Sequence, residues 1–354
     1  MLTKGATVDS SVHPVSDRPV YGMALSTGNI YFTTNDTSGA HVFRTGQTSS
    51  PGQELELYGE PSGSWFGDII WAKAGGVHYG YFWVFSGENS VVKRIPLTGS
   101  ATAEVLTPPI GNVDIVDSHH NLATDGVSLY WQSAESVNKS PIGGGHFTAL
   151  DLTSPNIFTA GVYLNGRNLI YADAAELRYV PANGIAVTPP WIRTIVTAVT
   201  EVTTIMPVSN GVYWGERTGA IRVKAGSAIS TIAPAGHAIP TSIATSGNAV
   251  GGPVIWTLGG SQSSDVGFDG PGGQGSLAAG ADAVGASMNS AGNAFWGDAN
   301  GVHRFCPQPG IARFGHLHTN CIPPPYHLNP EKRGRDHARG EWGDAASGRA
   351  GAGI

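Results

Sequence analysis

Charged side chains are scarce in this chain: Asp, Glu, Lys and Arg make up 13% of its 354 residues, about half the share of an ordinary soluble domain. The net charge is -6, and no dense Lys/Arg run interrupts the sequence before its C-terminal stretch. That removes the electrostatic footprint required by nucleic acid or an anionic membrane surface, so no nucleic-acid partner is expected. Long apolar runs are missing too. None approaches the roughly 18 residues of a membrane span, and Met1 to Ser11 lacks the charged-then-apolar layout of a signal peptide. Cysteine is nearly absent, with Cys306 and Cys321 the only two. Both lie near the C-terminal end, so no disulfide framework can hold the bulk of the chain together. Stability has to come from packing.

What the chain does have is glycine, 50 residues of it, about twice average usage, and an internal repeat. In Gly211 to Val223, Val212-Tyr213-Trp214 reads as a short β-branched and aromatic strand, Glu216 to Gly219 as a turn, and Ala220 to Val223 as the start of a second strand. The same hairpin recurs, giving aromatic anchors at Phe32, Phe85, Trp131, Tyr171, Trp214, Trp256 and Trp296. Their spacing of about 40 to 53 residues is the period of a four-stranded β-propeller blade.

Each repeat divides into four short strands. The first reads Val20 to Leu25, Ile30 to Thr33, His41 to Arg44 and Glu54 to Tyr58. In the second and third the first strands are Ile69 to Ala72 and Val113 to Val116; the sixth ends on Val266 to Phe268 and Ser276 to Ala278. Turns such as Gly28-Asn29, Asp125-Gly126, Asn165-Gly166, Asn210-Gly211, Gly247-Asn248 and Gly292-Asn293 follow the first strands, where tight hairpins favour these residues. The seventh repeat runs out at Pro307 with only three strands. A strand at residues 6 to 11 is expected to supply the fourth and close the ring, since sharing one blade between the chain ends removes unpaired edges. Pro14 and Pro19 should interrupt any longer N-terminal strand. The fold class expected is therefore all-β, a propeller of seven four-stranded blades with six as the runner-up, spanning residues 1 to 310. Residues 311 to 354 form a Pro/Arg/Gly-rich tail expected to be disordered.

Gly126-Val127-Ser128-Leu129-Tyr130-Trp131, Lys139-Ser140-Pro141-Ile142-Gly143-Gly144-Gly145 and Lys93-Arg94-Ile95-Pro96-Leu97-Thr98-Gly99 resemble bacterial β-propeller repeats, similar in style to the YWTD and NHL families. The resemblance covers roughly residues 20 to 305. It implies a binding or scaffold module for a glycan, peptide or protein partner, acting as a monomer, with lyases and hydrolases a minority. It also suggests an exported or surface setting, against the missing signal peptide, so the compartment stays open.

Several side chains could carry chemistry. Asp173, Glu216 and Asp298 each follow an anchor aromatic by two residues, with Asp36, Glu88 and Glu135 slightly later in their loops, so an acidic rim could take a divalent cation or a cationic ligand. The plainer reading is that each acid satisfies backbone N–H groups in its own turn. Asp114, Asp117, His119 and His120 could bind metal or move protons, with His237 and Arg217 or Arg222 as partners, but neighbouring His119 and His120 point to opposite sides of an extended chain. A solvated connection is the plainer alternative. Trp65, Trp71 and Trp191 lie outside the anchor series and could stack on ligand rings, or pack between blades. Cys306, His316, His318 and Cys321 could hold zinc, form a disulfide or remain thiols. The sequons at Asn35 and Asn138 would matter only in a eukaryotic secreted protein. No nucleophile-elbow, zincin, EF-hand or sialidase-type motif is present. The reading adopted is a non-catalytic binding module without a required cofactor; the alternative is a propeller lyase or hydrolase using channel-lining carboxylates and histidines, with a divalent cation.

Overall fold

The fold is given by a computed structural model that describes residues 12–306 except 27, 100–101, 108, 112–121, 134–135, 143–147, 152–160, 174–175, 183–192, 198–199, 237, 260–264, 271–272 and 280–282. The backbone divides into two units, Met1–His318 and Thr319–Ile354, and the second lies wholly outside the described residues.

The first unit is a seven-bladed β-propeller of seven antiparallel sheets: five have four strands in sequential order, blade 2 adds short strands, and blade 7 joins the last three strands to the N-terminal one. Blades 1 to 7 are numbered in chain order. Blade 2 carries two strands of two residues, Glu104–Val105 and Ile110–Gly111, on the outer side of its third strand. First strands of successive blades lie side by side from blade 3 round through blade 7 and blade 1 to blade 2, which puts them at the centre of the ring.

Second strands supply the core. Successive side chains of a strand point to opposite faces, so Tyr213 packs toward blade 6 while Trp214 packs toward blade 4's side of blade 5. Repeated around the ring, this builds seven apolar clusters, each between two neighbouring blades. Trp83, Trp131, Trp214 and Trp296 are among the largest fully buried side chains. Each buried Leu, Ile, Val or Phe contributes roughly 1.5–3 kcal/mol, which accounts for a fold that no disulfide framework spans.

The ring closes through the N-terminal strand, but by different residues from those expected. Val12–Ser16 takes the outer position of blade 7, pairing with Gly301–Phe305; residues 6 to 11 lie outside the described residues. Pro14 does not interrupt the strand. It sits at the sheet edge next to a register shift, where its missing N–H removes no ladder bond. Blades 7 and 1 are joined further by Arg304 Nη1, which donates to Gln47 O at 2.9 Å, and by Asn289 Nδ2, which donates to Gln47 Oε1 at 2.9 Å.

Two other expectations need correcting. In blade 2 the anchor is out of phase with those of the other blades: Phe85 packs toward the following blade, and Val84 toward the preceding one. Its first strand is also much longer than expected, Ser64–Ala74. The expected strand at 113 to 116 lies outside the described residues, and the first described strand of blade 3 is Ala123–Thr124.

Candidate functional site

In a four-stranded blade, the hairpin between second and third strands emerges on the same side as the segment leading to the next blade. Blade 5 shows the two in contact: Gly236 N donates to Thr218 O at 2.8 Å, and Arg217 N donates to Glu201 O at 2.8 Å. This face carries Asp173, Glu216 and Asp298.

Each of these acids is held by a base of its own blade. Tyr171 lies opposite Arg178, Trp214 opposite Arg222, and Trp296 opposite His303. Since residues two apart share a face, aromatic, acid and base all lie on one side of the hairpin. Asp173 Oδ2 is 2.5 Å from Arg178 Nη1. Glu216, only 1% exposed, accepts from Trp214 Nε1 at 3.2 Å and Thr200 Oγ1 at 3.1 Å. Arg222 Nε lies 2.7 Å from Glu216 Oε1, an ion-pair contact whose N–H points off the line of a hydrogen bond. Asp298, 2% exposed, accepts from the backbone N–H of Asn300 at 2.6 Å and of Gly301 at 3.0 Å, and its other oxygen is 2.9 Å from His303 Nε2. The His303 ring stacks on Trp296 at 5.4 Å.

The three acids belong to blades 4, 5 and 7, each beside a basic side chain of its own blade. Among the described residues, no group of three or more His, Cys, Asp and Glu side chains is arranged to hold a metal ion. Arg222 is engaged by Glu216, and Arg217 by Glu201 through Nε at 2.5 Å and Nη2 at 2.6 Å. Asp114, Asp117, His119, His120, Glu135, Trp191, His237, His316, His318 and Cys321 lie outside the described residues; Cys306 is buried. Asn35 exchanges hydrogen bonds with the backbone of Phe66, and Asn138 is buried, so neither sequon offers an open amide.

Exposed aromatics are present on both faces. Trp65 is 39% exposed and begins blade 2 on the hairpin face, its inner side stacked on Phe85 with ring centroids 3.9 Å apart. Tyr21, 44% exposed, leads into blade 1 on the same face. Trp71 lies toward the other end of the same strand as Trp65 and donates from Nε1 to Leu25 O at 2.6 Å.

One constellation escaped the sequence reading. Asp36-Thr37-Ser38-Gly39-Ala40-His41 of blade 1 aligns with Asp298-Ala299-Asn300-Gly301-Val302-His303 of blade 7, with Asp, Gly and His in common. Both are hairpins with the acid paired to the glycine. In blade 1 the histidine is directed elsewhere. His41 Nε2 is 3.8 Å from Asp36 Oδ1 but 3.0 Å from Ser38 Oγ, and its Nδ1 is 2.8 Å from Glu56 Oε1. Ser38 also donates to Asp36 Oδ1 from Oγ at 2.5 Å and from its backbone N–H at 2.7 Å. These two bonds, the hydroxyl's first, hold the Asp36 carboxyl below the ordinary aspartate range. The Asp-x-x-Gly-x-His match was a visible signal; Glu56 had none.

No protein-family model matches the sequence, and no curated protein sequence matches it. Solved structures do match. A streptogramin B lyase is similar with a TM-score of 0.62 at 14% identity, over 83% of this chain and 97% of that one. The WD40 propeller domain of Doa1 gives 0.57 at 11%, over 87% and 98%. YCF48 from Cyanidioschyzon merolae gives 0.56 at 12%, over 84% and 99%. At such identities the likeness is one of fold alone, and it extends from a lyase to a WD40 domain.

Proposed function

We propose that this propeller is a binding module that presents its hairpin face to a glycan, peptide or protein partner. The observation carrying this reading is Trp65: a large apolar ring left 39% exposed while its other side is fixed against Phe85. A ring held in one orientation offers a flat stacking surface at little further entropic cost on binding. The acids of the same face support the reading from the opposite direction, since Asp173, Glu216 and Asp298 are already engaged with Arg178, Arg222 and His303.

The test is a thermal melt of the full chain, chelator-treated, repeated with oligosaccharide and peptide panels. A ligand at 100 times its dissociation constant stabilises the fold by about 2.7 kcal/mol, and Trp65→Ala should abolish the shift. Repeating the melt with Ca²⁺, Mg²⁺ or Zn²⁺ examines the divalent-cation alternative. A cation shift removed by Glu216→Ala or Asp298→Ala would replace the present reading with the metal-dependent enzyme.

A further inference from the structure

We propose that Ser38, His41 and Glu56 act as nucleophile, general base and orienting acid, and that the rim of the hairpin face hydrolyses small, accessible esters through Ser38 Oγ. The three groups are connected in the order such chemistry needs: hydroxyl to Nε2 at 3.0 Å, and Nδ1 to carboxylate at 2.8 Å. In the tautomer that gives its Nδ1 proton to Glu56, the Nε2 lone pair faces the Ser38 oxygen, whose proton rests on Asp36 Oδ1 and has to turn to Nε2 for the reaction.

The surroundings fit this arrangement. Ser38 is exposed, while the His41 side chain is only 17% exposed and tilts against Phe43 at 6.0 Å, so the nucleophile is reachable and its base is held. Gly59 stands directly across from His41. A Cβ there would lie 2.8 Å from Glu56 Oε1 and 3.1 Å from His41 Nδ1, so the missing side chain makes room for the pair. Blade 7 provides the contrast: the same hairpin has Asn300 in place of Ser38 and directs its histidine onto the acid.

Asp36 competes for the serine proton at 2.5 Å. A carboxylate is ordinarily a weaker base than imidazole, so the proton passes to His41 as the carbonyl carbon approaches. In the reaction Ser38 Oγ bonds to the acyl carbon and its proton passes to His41 Nε2. The alkoxide leaving group then takes that proton and departs as the alcohol. Water attacks the acyl-serine with His41 again as base, releasing the acid and restoring Ser38. Water is the only co-reactant.

The experiment treats the full chain with an alkyl phosphonofluoridate, in which Ser38 Oγ forms a bond to phosphorus, fluoride leaves and His41 takes the proton; the adduct is located by peptide mass spectrometry. The expected result is a single adduct on Ser38, abolished by Ser38→Ala and slowed about 10²-fold or more by His41→Ala. Glu56→Gln, which leaves the imidazole in place, should slow it at least several-fold, with circular dichroism confirming the fold. Asp36→Asn should leave it unchanged or faster. No adduct on Ser38, or labelling indifferent to both His41→Ala and Glu56→Gln, overturns the proposal. Ligand shifts in the melts above are independent of either result.

Discussion

The hairpins of blade 1 and blade 7 share the pattern Asp-x-x-Gly-x-His and the same pairing of acid to glycine, yet their carboxylates have opposite fates. Asp298 is 2% exposed, roofed by the turn N–H groups and by His303 lying on Trp296. Asp36 has an exposed side chain and sits beside a histidine committed to Ser38 and Glu56. The difference originates in three neighbours. Where blade 7 has Trp296 beneath the histidine, blade 1 has Thr34; where blade 7 has Asn300, blade 1 has Ser38; and across from the histidine stands Pro14 in one and Gly59 in the other. A repeat fixes the turn, while its partners decide whether the turn is structure or chemistry.

The largest expected effect tests the aromatic support. Trp296 is 1% exposed in the cluster between blades 6 and 7, so Trp296→Ala should destabilise the protein by about 3–5 kcal/mol through lost burial and a cavity. Thr34→Ala, at the matching place in blade 1, should cost about 1 kcal/mol or less. Denaturant midpoints of the two variants decide it; equal losses would mean that the aromatic is not what distinguishes the hairpins.

A smaller effect separates the blades by their fourth strands. Gly39 and Gly301 have φ of 144° and 138°, conformations that a side chain strains. An added Cβ would lie 1.9 Å from Glu60 O in blade 1 and 1.9 Å from Ser16 O in blade 7. Either Gly→Ala change should cost about 2–3 kcal/mol. Only Gly301→Ala pushes on the strand that closes the ring, so amide hydrogen exchange within Val12–Ser16 should accelerate in that variant and not in Gly39→Ala. If both accelerate it equally, the closing strand is no weaker than an ordinary outer strand.

Much of the fold was legible in the sequence because it is written as a period: anchor aromatics about 40 to 53 residues apart and a seventh repeat one strand short. The phase failed in blade 2, where Tyr81-Phe82-Trp83-Val84-Phe85 buries both faces of one strand and leaves no alternation to read. The closing strand was misplaced because proline was treated as a breaker, whereas Pro14 occupies an outer edge. In the site, the acids were legible and their pairings were not: Arg222 was singled out only as a partner for the Asp114 to His120 group, and Arg178, Arg222 and His303 meet their acids only across a hairpin. Glu56 was further out of reach. It meets His41 because a register shift between Val42 and Phe43 displaces the fourth strand, and nothing in the residues announces a bulge.

The smallest expected effect concerns where the Ser38 proton resides. The Asp36 carboxyl is held below its ordinary value first by the Ser38 hydroxyl and then by the Ser38 N–H. A folded value below the unfolded one means that the contribution to stability is present above the ordinary aspartate range and is lost as pH falls through the lowered value. Ser38→Ala removes the first cause and keeps the second, so the Asp36 titration midpoint, followed by carboxyl carbon NMR, should move upward toward the ordinary value without reaching it. A midpoint that stays put would show that the hydroxyl does not donate to Asp36 at rest. Its proton would then already be directed at His41 Nε2, which places blade 1 still further from its counterpart in blade 7.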